Sequence, residues 1–159
     1  MNKSTLAATS LAVAAAAVTG SVANAKAAPA WYARLRKPPY QPPSAAFPVA
    51  WTSLYGDIAV TSAVAIDRFR AAGREDEARR YAAALGVNLV LNAGWSWLFF
   101  GFHRLGASAA GAAVLTASSV DLARRAAQAD PRAGLALSAY PLWCSFATVL
   151  ATHVWRLNR

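Results

Sequence analysis

The chain has 159 residues, the length of one domain, and 57% of them are hydrophobic against 14% charged. That balance excludes an ordinary soluble domain of this size. The net charge of +9 raises nucleic acid as a partner, because phosphates attract basic patches, but the basic residues stand between apolar runs, so they read as membrane-flanking loops and no nucleic-acid partner is expected.

The first candidate span is 4–25, which contains no charged residue and is about the length needed to cross a hydrocarbon core of roughly 30 Å. Its basic start, Ala-rich middle and Ala23-Asn24-Ala25 ending also match a signal peptide, whose cleavage would leave four spans. Alanine is a good helix former, and small-residue surfaces let membrane helices pack closely. A retained helix is therefore the expectation.

Residues 26–44 follow as a loop dense in proline, aromatics and positive charge. Proline removes backbone donors and discourages a continuous helix, so the segment reads as stiff, with at most a helical turn around Trp31–Leu35. The second span is expected over 45–66 and contains Asp57. A carboxylate there is costly in lipid and should face the bundle interior or a headgroup boundary. After the polar linker 67–80 come a third span over 81–102, a fourth over 105–122 and a fifth over 133–155. Gly106, Ala107, Ala110 and Gly111 give the fourth a small-residue packing surface. The fold class predicted is thus an all-α membrane protein, a bundle of five transmembrane helices. The positive-inside rule does not orient it, since nine Lys/Arg fall on one side and seven on the other.

No motif for hydrolysis, phosphate cradling or metal binding is present. His103 and His153 lie near span ends without neighbouring Cys or carboxylate ligands, so they read as anchoring or packing residues rather than metal or haem ligands. Cys144, the single cysteine, reads as a buried small side chain. The aromatic residues carry more information. Phe47, Trp51 and Tyr55 recur every four residues and form a stripe on the second helix. Asn88, Asn92, Trp95 and Phe99 form one on the third, and Tyr140, Trp143, Ala147 and Leu150 one on the fifth. Aromatic stripes commonly serve helix packing alone. If these converge, they line a site with flat apolar walls and a few hydrogen-bonding groups, suited to a large planar hydrophobe.

Several of these segments, in order and at compatible spacing, resemble the TspO/MBR family of tryptophan-rich sensory proteins and translocator proteins. They are Trp31-Tyr-Ala-Arg-Leu-Arg-Lys37-Pro38 with Gln41-Pro42-Pro43, Phe47-Pro-Val-Ala-Trp51-Thr-Ser-Leu-Tyr55, Asn92-Ala-Gly-Trp95-Ser96-Trp-Leu-Phe-Phe-Gly101, and Tyr140-Pro-Leu-Trp143 through Ala147 to Asn158. The resemblance implies a five-helix bundle, commonly dimeric, with a ligand cavity beneath the loop joining the first two helices. It implies binding of porphyrins and other tetrapyrroles, synthetic isoquinoline and benzodiazepine ligands and, in some members, sterols. Carried over by position, Tyr32 and Pro42 belong to the lid, Trp51 and Asn92 supply polar contacts, and Tyr55, Trp95, Ser96, Trp143, Ala147 and Leu150 form the walls; Phe47, from the stripe on the second helix, joins the expected ligand-binding residues. Tyr40 stands where the family usually has tryptophan, and the tyrosine of the animal C-terminal sterol motif is missing.

The function expected is that of an integral, multi-pass membrane protein, in a bacterial cell membrane, that receives porphyrin-like ligands and influences their transport, sequestration or signalling. No cofactor is required, though a porphyrin or haem-like ligand is expected, and the partners are that ligand, the lipid bilayer and a second copy of the chain. Light-dependent porphyrin breakdown and passive translocation are the alternatives.

Overall fold

In hydrocarbon no water is available to satisfy backbone N–H and C=O groups, so a chain this apolar has to satisfy them within helices. The computed structural model describes residues 1–26 and 29–159; Ala27 and Ala28 of the predicted lid lie outside the described residues. Its helices are α1 (Lys3–Lys26), the short α2 (Pro29–Arg34), α3 (Ala46–Ala71), α4 (Glu75–Ser96), α5 (Leu105–Ala129), α6 (Pro131–Leu137) and α7 (Ala139–Leu157), and a π-helical turn, Trp97–Gly101, continues α4. Five segments are long and apolar enough to cross a membrane, the fifth being α6 and α7 together. The predicted architecture is therefore the observed one.

The observed helices run past several expected boundaries, for physical reasons. Helix α4 begins six residues before the predicted span because Glu75, Asp76 and Glu77 fill its first turn, where negative charge meets the positive end of the helix dipole. Helix α5 continues beyond 122 because Asp121 holds Arg124 and Arg125, at 2.8 and 2.6 Å, on the same helix. The fifth span is broken at Ser138. Pro141 accounts for the break, since it lacks an N–H and its ring collides with the carbonyl four residues back, that of Leu137. Asp130 caps the start of α6 by accepting from the N–H groups of Arg132 and Ala133, and Pro131 takes the first helical position.

The bundle closes as a ring. Helix α1 packs against α3 and α4, α4 against α5, α5 against α6 and α7, and α6 returns to α3. Thr9 fixes α1 by donating to the Ala59 carbonyl of α3 at 2.9 Å, and Val13, Ala16, Gly20 and Ala23 are buried. Small residues set the closest approaches. A Cβ on Gly134 would lie 2.6 and 2.7 Å from the Cα and N of Ala127, so α5 and α6 touch there almost backbone to backbone. Helices α3 and α7, by contrast, meet mainly through long side chains, and the space between their backbones is where the aromatic stripes point.

Candidate functional site

A polar network ties four helices together at the level of the predicted site. Tyr55 of α3 donates to Asn92 Oδ1 at 2.9 Å, Asn92 Nδ2 donates to the Tyr140 hydroxyl at 3.1 Å, and that hydroxyl donates to Asn88 Oδ1 at 2.9 Å. Asn88 Nδ2 then donates to Ser118 of α5 at 3.1 Å. Asn88, Asn92 and Tyr140 are buried. Asn88 and Asn92 lie one turn apart, so one face of α4 presents both amides, and α7 answers with a single hydroxyl. Four bonds in series, in a low-dielectric interior, give the site a fixed polar floor.

Aromatic rings fill the space between α3 and α7 beside this floor. Trp51 meets Trp143 edge-on at a centroid distance of 6.5 Å, Phe47 meets Trp143 at 6.0 Å, and Trp51 meets Tyr140 at 6.4 Å. Towards the other end of the site Trp95 stacks on Phe99 at 5.6 Å. Phe99, Leu150 and Val154 are the centre of a cluster against which Tyr32, Phe47, Trp95 and Phe100 pack. Among the described residues two donors in this aromatic region have no acceptor: the indole N–H groups of Trp95 and Trp143 are both buried and unpartnered. Buried polar groups are ordinarily satisfied, and in the membrane no water competes for the task.

The lid lies over the Phe99 cluster. Trp31 and Tyr32 of α2 contact Phe99 at 5.9 and 6.3 Å, and Trp31 stacks on His103 at 3.8 Å. Gln41 donates to the Tyr32 hydroxyl at 3.1 Å, and Lys37 donates to the Tyr32 carbonyl at 2.6 Å while sitting over the Tyr32 ring. Burial pushes the Tyr32 pKa up, with the Gln41 bond opposing it, so the hydroxyl stays neutral. At the far end of the lid Asn158 grips the backbone of Arg36 in both directions, accepting from its N–H and donating to its carbonyl, each at 2.9 Å. Tyr40 also pairs with His153 Nδ1 at 3.1 Å.

Of the predicted site residues, Tyr32, Phe47, Trp95 and Leu150 meet in the cluster beneath the lid, and Trp51, Tyr55, Asn92 and Trp143 meet beside the polar floor. Pro42 and Ala147 are half-buried. Ser96 points elsewhere: its Oγ lies 3.0 Å from where a Cβ on Gly20 would stand, so it packs against α1. Asn92 is held by Tyr55 and Tyr140, whereas the unpartnered donors belong to Trp95 and Trp143. Tyr140, Asn88 and Phe99 belong with the site, although spacing alone places them only on stripes. The four-residue spacing of Asn88 and Asn92 is the signal that identifies the floor; Ser118 and the Asn158 latch carry no such signal.

Five apolar crossings around an aromatic interior with a polar floor and a hydrogen-bonded lid define a multi-pass membrane protein whose candidate site lies between its helices. Residues 8–156 match the TspO/MBR family, and the chain belongs to that family. It is 32% identical over 149 residues to protein CrtK of Rhodobacter capsulatus, covering 93% of this chain and 89% of the relative. It is 33% identical to a tryptophan-rich sensory protein of Cereibacter sphaeroides, covering 80% and 77%. The translocator protein of Ovis aries is 29% identical, over 81% of this chain and 75% of its own length. The five apolar helices and the bacterial relatives make this a multi-pass bacterial membrane protein.

Proposed function

We propose that the protein is a membrane receptor that takes porphyrin-type tetrapyrroles and related planar hydrophobes between α3, α4 and α7, affecting their transport, sequestration or signalling. The observation that carries this reading is the pair of buried indole donors without acceptors, Trp95 and Trp143, set among rings that bridge two otherwise separated helices. A planar ligand with carbonyl or carboxylate oxygens, or ring nitrogens, would satisfy those donors, and its faces would replace ring-to-ring contacts with equivalent ones. The rings of α3 and α7 now touch, so binding requires Trp51 and Trp143 to part, with the network through Asn92 and Tyr140 holding the helices in register. No covalent step is required of any residue. Tyr40, which occupies the position of a family tryptophan, is engaged with His153 and Phe146 on α7, a lid-closing role.

Titration of protoporphyrin with the purified protein, followed by the shift of the porphyrin's main absorption band, tests the reading. Trp95→Phe with Trp143→Phe keeps the rings and removes both donors, and two lost hydrogen bonds of about 1 kcal/mol each should weaken binding on the order of tenfold or more. Unchanged affinity in that double variant and in the triple variant Trp51→Ala, Asn92→Ala, Trp143→Ala would remove the site. An absorption spectrum that keeps its form under illumination separates a receptor from a light-dependent porphyrin-degrading enzyme.

The receptor is further proposed to act as a homodimer. Support comes from the outer groove between α1, α3 and α4, about 430 Å³ in volume and lined partly by Ala8, Ala12, Ala82 and Gly86, small residues of the kind that let membrane helices of two copies approach closely. Cross-linking of Ala12→Cys in native membranes should trap a dimer, and failure there and at Ala82→Cys would exclude this face.

A further inference from the structure

Asp57 is a carboxyl inside the membrane. It lies eleven residues into α3 from Ala46 and eleven short of Arg68, the next basic residue along the chain, which at 1.5 Å per residue puts it about 16 Å from either point. That is the middle of a hydrocarbon core of roughly 30 Å, and it excludes the headgroup boundary. The other six acids lie in the α3–α4 linker region, late in α5 or at the α5–α6 junction, and each is answered. Asp130 meets Arg68 at 3.2 Å, Asp76 meets Arg79 at 2.7 Å, Glu77 meets Arg74 at 3.2 Å, Glu75 faces Arg70, Asp121 holds Arg124 and Arg125, and Asp67 accepts from the N–H of Asn2. Asp57 has no such answer. Its Oδ2 is buried and without a partner among the described residues, on a side chain that is otherwise half-buried.

Among the described residues no element packed on α3 brings Asp57 a counter-charge. Helix α1 has no titratable side chain between Lys3 and Lys26, α6 has Arg132 in its first turn, and the charged residues of α5 pair with one another. The charges of α4 stop at Arg80; beyond them the Tyr81 phenol lies near enough to sense Asp57 and is bonded to Ser62 of α3 at 3.0 Å. On α7, Tyr140 is spent on two asparagines, Cys144 is a buried thiol and His153 pairs with Tyr40 towards the lid. The chemistry of the helix decides between the two forms of the acid. A carboxylate only accepts hydrogen bonds, and the N–H groups in the middle of a helix are already committed to carbonyls one turn back. A protonated carboxyl can donate, and each of those carbonyls keeps a second lone pair. An ionised side chain at this depth is also the costly form in a bilayer. We infer that Asp57 is a proton-binding site in the middle of the membrane and, in its protonated form, a target for hydrophobic carbodiimides. Trp51 and Tyr55 stand within two turns of it, so a proton gained or lost here acts on the helix that carries part of the wall and floor of the candidate site. The proton site does not depend on the receptor reading.

The test uses the full chain in nanodiscs of zwitterionic lipid, with infrared spectroscopy and labelling by dicyclohexylcarbodiimide, mapped by mass spectrometry, as the readouts. At neutral pH the wild type should show a carboxylic-acid carbonyl band that is missing from D57N and kept in E77Q. The reagent should label Asp57: the acid O–H adds across one C=N bond, and the O-acylisourea formed rearranges to a stable N-acylurea with nothing leaving. A carboxylate has no proton to begin that addition, so labelling should fall about tenfold for each pH unit above the point where the proton departs. A water-soluble carbodiimide should instead label the exposed acids Glu75, Asp76 and Glu77. The mapped label and its pH dependence are read on the wild type, so they hold even where D57N fails to fold. Absence of the acid band and of label at Asp57 at neutral pH overturns the proton site. Label at Asp57 that sodium ions suppress at fixed pH assigns a metal cation to the position and likewise overturns it. The porphyrin titration is independent of all these outcomes, and its failure overturns the receptor reading alone.

Discussion

The Tyr140 hydroxyl is the hub of the polar floor, and Tyr140→Phe tests whether that floor holds the bundle. The change removes one oxygen and keeps the ring, including its edge contact with Trp51 at 6.4 Å. It strands Asn92 Nδ2, which donates to the hydroxyl at 3.1 Å, and Asn88 Oδ1, which accepts from it at 2.9 Å. Both asparagines are buried, so neither gains water in compensation. Interhelical hydrogen bonds in membranes average about 0.6 kcal/mol and reach about 1.7, and a stranded buried polar group costs about 1–3 kcal/mol. With two bonds lost and partial rearrangement of the amides, the expected destabilisation is about 2 kcal/mol, roughly a thirtyfold change in the unfolding equilibrium. Unfolding by SDS in mixed micelles, followed by circular dichroism, measures it. The decisive comparison is a double-mutant cycle with Asn88→Leu, which removes the stranded acceptor and so should make the second change cost less than it does alone. Strict additivity, or a Tyr140→Phe cost below about 0.5 kcal/mol, would refute the network as a coupled unit.

Asn158→Ala removes both bonds to the Arg36 backbone and the bond to the Val154 carbonyl; amide exchange at Arg36 should quicken by about fivefold, for a loss near 1 kcal/mol, while α4 and α5 keep their protection. Gly134→Val forces side-chain atoms into space where even a Cβ comes within 2.6 Å of Ala127 Cα, so α5 and α6 must separate, and SDS unfolding should show a loss of about 1–3 kcal/mol. The N–H of Arg132 holds the Asp130 carboxyl below the usual carboxylate range, assisted by the N–H of Ala133 and by Arg68. Its native pKa is thus lower than its unfolded one, so its stabilising effect is present at neutral pH and lost as pH falls through the native value; protection of the Arg132 and Ala133 amides relative to their intrinsic exchange rates should fall under acid in the wild type and already at neutral pH in Asp130→Ala.

The crossings were legible because a membrane helix must be apolar along its whole length, and a soluble fold of this size rarely carries charge-free runs so long. Their ends were less so, since a helix continues into the interface wherever local chemistry supports it. The acidic first turn of α4 and the Asp121 pairs of α5 were visible in sequence, but hydropathy weighs such residues only as interruptions. The site was legible as stripes, because four-residue spacing fixes a shared face whatever the neighbouring helices do. Spacing could not say which polar group on a face finds a partner. Position alone gives the Asn92 amide to a ligand, yet an amide both donates and accepts, and hydroxyls on two other helices meet it from both sides. An indole only donates, and among aromatic rings it finds no acceptor unless a carbonyl or carboxylate happens to be near. Trp95 and Trp143 remain unpaired among the described residues for that reason. In a bundle built this way the amides fix the helices in register, and under the proposed receptor reading the specificity for a ligand falls to the tryptophans, whose donors find no acceptor among the described residues.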